Sequence, residues 1–102
     1  MERPIGVGAV PKRMHFRYPE GTTLTGTVIR EVGEEFDAEE YGSYYFVIQL
    51  IEGLDGEKYV RFGYYRKKPG QDRYRWGSQT TYLATVDFTK ELLKEAKKGD
   101  IL

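Results

Sequence analysis

The chain has 102 residues, no cysteine and a formal net charge of zero, with 39% hydrophobic and 15% aromatic residues. That length supports one compact domain with a modest core. The missing cysteines exclude disulfides and thiolate chemistry, and the neutral balance argues against indiscriminate coating of polyanions.

The charge is unevenly spread. Residues 31–57 carry nine acids and no bases, whereas residues 58–78 carry seven bases and one acid. One basic patch is therefore expected, unless the two blocks neutralise each other within the fold. Asparagine is absent and charged residues reach 31%, a composition that fits a thermophilic source. No apolar run approaches the length of a membrane span. Ile5–Val10 is broken by Gly6 and Gly8 and is no secretory signal core, so a cytoplasmic address is expected.

Residues 1–21 hold Pro4, Pro11, Pro19 and four basic side chains, and read as an extended N-terminal arm. Met14–Tyr18 could add an edge strand to it, and Pro19-Glu20-Gly21 is turn chemistry. Residues 22–102 are expected to form a single sheet-plus-helix domain. Thr22–Val32 is the first full strand, and a period of two places Leu24, Gly26, Val28 and Val32 on one face. Gly33–Gly42 follows as an acidic loop. Its five carboxylates lack the alternating spacing and central glycine of a calcium loop, so a solvated loop is expected.

Tyr44–Glu52 is apolar on both faces, as a central strand should be. A three-residue loop, Leu54-Asp55-Gly56, pairs Gly53 with Glu57. It then sets Val60 opposite Leu50, Phe62 opposite Ile48 and Tyr64 opposite Phe46, which unites the apolar positions. Gly56 takes the left-handed position. The other face carries Tyr45, Val47, Gln49 and Ile51 beside Tyr59, Arg61, Gly63 and Tyr65. Three tyrosines and an arginine there form either a stacking platform or a second buried layer.

Gln79–Val86 reads as the last strand. Asp87 is placed to cap a helix over Phe88–Lys98, whose stripe is Phe88, Leu92, Leu93 and Ala96, and Gly99 ends it. The predicted fold is α+β: an antiparallel four-stranded meander, five-stranded if the edge strand joins, followed by one C-terminal amphipathic helix.

Catalytic signatures are missing. His15 is the only histidine, so the usual zinc ligand sets are not available. Gly6-Val7-Gly8-Ala9-Val10-Pro11 lacks the third glycine of a dinucleotide loop, and proline stands where a helix should run. Ser43 and Ser78 have no base nearby in sequence. No enzymatic activity and no cofactor are expected.

The stretch 59–78 carries the strongest signal. Arg61, Arg66, Lys67, Lys68, Arg73 and Arg75 interleave with Tyr59, Tyr64, Tyr65, Tyr74 and Trp76. Cations for phosphates and flat rings for bases are what a single strand requires. With Tyr45 from the neighbouring strand, Tyr59, Arg61, Tyr65, Arg66, Lys67, Lys68, Arg73, Tyr74, Arg75 and Trp76 are the candidate nucleic-acid-binding residues.

Over residues 44–98, strand Tyr44–Glu52, a tight turn, strand Lys58–Arg66, Pro69-Gly70, the basic Arg73-Tyr74-Arg75-Trp76-Gly77, a strand and a closing helix follow in order. This order resembles the single-stranded DNA-binding coactivators called positive cofactor four, and the related purine-rich-element-binding repeats. The resemblance implies that sheet and basic loop hold single strands and that the helix builds a dimer. It implies contacts from Tyr65, Arg66, Lys67, Lys68, Arg73, Arg75 and Trp76. The acidic block 31–40 departs from that pattern. The expected partner is single-stranded DNA or RNA, bound by a homodimer away from membranes. The alternative is a protein-interaction or self-association module in which acidic loop 31–40 and basic loop 66–75 meet partner surfaces. A dimer is also expected because Val47 and Ile51 lack an obvious cover.

Overall fold

The structure, a computed structural model, describes residues 3–17, 20–77 and 86–102. Five antiparallel strands lie in sequence order: β1 (Lys12–Arg17), β2 (Thr23–Asp37), β3 (Ser43–Gly53), β4 (Lys58–Lys67) and β5 (Arg75–Trp76). The sheet curls, and one helix, α1 (Val86–Lys98), follows it, an α+β arrangement. The expected strand at Gln79–Val86 falls outside the described residues up to position 85, and Val86 opens the helix. Asp87 therefore sits within the first turn, where a carboxylate still suits the helix dipole. Among the described residues no helix is long and apolar enough to cross a membrane.

The β3–β4 hairpin has the register its turn chemistry dictates. Leu50 pairs with Val60, Ile48 with Phe62 and Phe46 with Tyr64. The Gly53 amide donates to the Glu57 carbonyl at 2.9 Å, and Gly56 takes φ +81°. On one face of β3, Phe46 and Ile48 meet Leu92 and Ala96 of α1 and Ile101 beyond it. This layer continues into Val32, Phe36, Tyr44, Phe88 and Leu93.

β2 departs from the expected pattern in two ways. It runs five residues further, so Gly33–Asp37 are strand and only the turn Glu39–Tyr41 remains of the acidic loop. A bulge at Ile29 also shifts the register: Val28 pairs with Ile51, and Arg30 already pairs with Leu50. An extra residue on one strand reverses the side-chain alternation beyond it. Val32 thus joins Phe36 under the helix, while Glu31 shares the opposite face with Val28.

That opposite face is not bare. Val47 and Ile51 are each 1% exposed, so the reason for expecting a dimer from them is removed. Val7 covers Val47 together with Tyr45, Tyr65 and Tyr74, and Met14 covers Ile51 and Val28. The edge strand expected at Met14–Tyr18 is present as β1, and Val7, in the segment before it that reads in the sequence as extended arm, supplies a core side chain to the same body. Gly6 (φ +98°) makes the close approach possible, because a Cβ there would lie 2.1 Å from the Tyr74 carbonyl oxygen. The Tyr74 amide donates to the Ile5 carbonyl beside it at 2.8 Å.

Candidate nucleic-acid interface and the cleft beside it

Alternation along β4 aims Arg61, Gly63 and Tyr65 at the inner face of the curl. Trp76 on β5 pairs with Tyr65. The tip of its six-membered ring occupies the space above Gly63, where a Cβ would meet Cη2 at 2.3 Å. The Arg61 guanidinium carbon stands over the indole, 4.5 Å from its centre, and the Tyr65 ring meets it edge-on at 5.0 Å. The indole is wedged between those neighbours yet remains 42% exposed. Cation–ring contact of this kind holds guanidinium and indole in fixed orientation.

Behind this wedge lies a buried charge network. The Glu31 carboxylate has no exposed side-chain surface. Arg3 Nη1 and Lys12 Nζ both donate to its Oε1, the second at 3.0 Å. Its Oε2 accepts from Gln49 Nε2 and from the Tyr65 hydroxyl at 3.1 Å. Gln49 passes the chain on, its Oε1 accepting from Arg61 Nε at 2.8 Å. Lys12 Nζ also donates to the Gly8 carbonyl at 3.0 Å and the Tyr65 oxygen at 2.5 Å, so its three donors are all engaged. A buried carboxylate requires such partners.

Burial, reinforced by the Glu31 charge, pushes the Tyr65 phenol far above its ordinary range. Burial lowers the Arg61 pKa, because it disfavours the charged form. Two cations balance Glu31 directly. Arg61 forms no ion pair among the described residues.

A cleft of about 300 Å³ opens between β1 and this wedge. Lys12, Arg13, Met14, His15, Val28, Gln49, Arg61, Tyr65 and Trp76 line it. Three of these are cations and none is a carboxylate. A void of this size is at the small end for a ligand site.

The predicted site residues divide into three groups. Tyr45, Tyr65 and Tyr74 are 7%, 6% and 3% exposed, which leaves no open ring face on which a base could stack. Of the two readings of the inner face, the second buried layer is the one these three rings occupy, and the Tyr74 hydroxyl donates to Glu35 at 3.0 Å. Tyr59 is half-buried at the far end of β4, roughly 25 Å of strand from Lys67, and its hydroxyl donates to Asp55. The fold does not bring it to the basic loop.

Arg66 and Lys67 are half-buried. Arg66 lies over the Tyr44 ring and donates from Nη2 to the Tyr41 carbonyl at 3.3 Å, while its Nε is enclosed without a partner. Lys67 Nζ stands 5.3 Å from the centre of the Tyr74 ring. Lys68, Arg73 and Arg75 are exposed, and none forms an ion pair among the described residues. The acidic turn is a close neighbour, for a Cβ on Gly42 would lie 2.3 Å from the Lys67 carbonyl. Even so, no ion pair among the described residues joins 34–40 to 66–75.

Sequence reasoning missed Lys12, Glu31 and Gln49. The one available signal was Gln49, a polar residue between Ile48 and Leu50 in a strand otherwise apolar on both faces. Comparison with protein-family models, curated proteins and solved structures finds no match for this chain.

Proposed function

We propose that this protein binds single-stranded DNA or RNA without catalysis, along the edge formed by the β4–β5 loop. The observation that carries this reading is that Lys68, Arg73 and Arg75, exposed on one loop beside Trp76 and a cleft lined by no carboxylate, form no ion pair among the described residues. Here the acidic turn is adjacent and the cations remain in solvent, available to phosphates. Relative to the sequence expectation the contact set is narrower: Arg61, Lys67, Lys68, Arg73, Arg75 and Trp76. Tyr45, Tyr65 and Tyr74 support that edge from beneath.

A labelled single-stranded oligonucleotide titrated at low and at moderate salt tests this. Binding that weakens steeply with salt and is displaced by heparin supports the reading. No binding at low salt removes it.

A second reading concerns self-association. Val60 and Phe62, on the helix side of β4, are 43% and 50% exposed, and through them two copies would meet. Light scattering decides this: a monomer mass at micromolar concentration removes the dimer.

A further inference from the structure

We propose that the cleft between β1 and Trp76 is a phosphate pocket, in which Arg61 grips one phosphate group of the bound strand or of a free nucleotide. The inference rests on the strand-binding reading for its natural ligand, but its chemistry stands on Arg61 itself. Guanidinium carries five N–H donors in a planar fork. Among the described residues Nε alone donates a hydrogen bond to protein, to Gln49 Oε1 at 2.8 Å. Both terminal nitrogens are without a hydrogen bond among the described residues, and the side chain lines the cleft. Gln49 fixes the Nε edge and the indole fixes the plane, at 4.5 Å from the guanidinium carbon. A fork held at one edge and across one face, with its other donors open, suits a tetrahedral oxyanion bound by two parallel hydrogen bonds.

The surroundings select the same ligand. Lys12 cannot donate further, but its charge and that of Arg3 exceed the single charge of Glu31. With Arg61 the network is two positive charges in excess, partly removed from water, and the cleft wall has no carboxylate to repel an anion. A carboxylate ligand would satisfy the fork as well. The net double charge and the proximity of the exposed loop cations favour a phosphate instead.

Trp76 is the only tryptophan and lines this cleft, so its emission follows filling of the cleft; a strand stacked on it from the loop side changes it as well, and the Arg61 variants separate the two. The experiment follows that emission in wild type, Arg61→Gln, Arg61→Lys and Lys68→Gln/Arg73→Gln, each checked by thermal melt. The probes are inorganic phosphate, a nucleoside monophosphate, and one oligonucleotide with and without a 5′-phosphate. The expected result is a saturable change with the monophosphate at millimolar concentration. It should weaken about tenfold or more in Arg61→Gln, as for a lost charge-assisted bond, and by a smaller factor in the loop variant, whose cations act on the pocket only through their field. Arg61→Lys keeps the charge without the fork and should recover only part of it, which keeps the test informative if Arg61→Gln does not fold. A preference for the 5′-phosphorylated strand assigns the pocket to a strand end; equal binding assigns it to an internal phosphodiester. Oligonucleotide binding with no monophosphate response and no Arg61 effect overturns the pocket and leaves the loop reading standing. A monophosphate response that Arg61→Gln weakens, without oligonucleotide binding, upholds the pocket and ends the strand reading; a monophosphate response that Arg61→Gln leaves unchanged overturns the pocket. No response to any probe overturns both.

Discussion

A methyl group at position 63 would lie 2.3 Å from Cη2 of Trp76. Gly63→Ala should therefore displace the indole from its wedge, with a stability loss of about 1–3 kcal/mol for an overfilled site. Thermal melting and a red shift of the tryptophan emission check this; unchanged values for both would contradict the wedge. Glu31→Gln leaves Arg3 and Lys12 facing a neutral amide. Breaking a buried pair costs roughly 3–5 kcal/mol, and the 25% and 22% side-chain exposure of the two cations places this one at the lower end. Denaturant unfolding of the variant should show that loss, and a wild-type midpoint would mean that the network is idle.

The tyrosines give a pH test. Burial, then the hydrogen bond to Glu35, pushes the Tyr74 phenol up to about 12, whereas an unfolded phenol titrates near about 10. Between those values the folded chain holds a proton that the unfolded chain has lost, so stability falls as pH rises. The contribution is complete below about pH 10 and is lost by about pH 12, and Tyr65 acts in the same direction. Unfolding midpoints followed through this window should fall together with the appearance of phenolate absorbance. Tyr74→Phe should flatten the fall.

Among the elements, the β3–β4 hairpin was fully legible in the sequence. Its register depends on alternation within ten residues of the turn and on a glycine at the left-handed position, both local properties. β2 was not legible past Val32. Glu34, Glu35 and Asp37 conceal a strand whose even positions, Val32 and Phe36, pack under the helix, where Phe36 meets the Phe88 ring at 5.5 Å. The bulge at Ile29 has no local signature, because either register presents β-branched residues to a core. The buried pair of Glu31 and Gln49 was equally hidden. Its stabilising cations come from Arg3 and Lys12, 28 and 19 residues away, and only the curl of the sheet brings them in.

The same distance explains why residues 3–10 read as an arm. Prolines and glycines suggest looseness, and only the tertiary structure shows Val7 at 7% exposure against the inner tyrosines. Deleting residues 1–10 should therefore destabilise the whole protein. Loss of the buried Val7 side chain alone costs about 1.5–3 kcal/mol. A truncated chain with the wild-type melting temperature would contradict the packing described for this segment.

At the scale of the molecule, charge is the organising feature. A net charge of zero conceals an acidic turn, 34–40, and a basic loop, 66–75, that the fold places side by side with no ion pair between them among the described residues. The candidate interface was legible as composition, since the cations of 66–75 are visible in the sequence. The role of its rings was not, because alternation shows which residues share a face and not whether that face is covered. The central claim is that Lys68, Arg73 and Arg75 are held in solvent for phosphates. The most direct measurement is the salt dependence of single-strand binding in wild type and in Lys68→Gln/Arg73→Gln/Arg75→Gln, at matched thermal stability. Each cation that meets a phosphate contributes about 0.7 to the slope of log affinity against log salt, so the triple variant should lose roughly 2. A wild type that binds with a slope the three substitutions leave unchanged would contradict the claim.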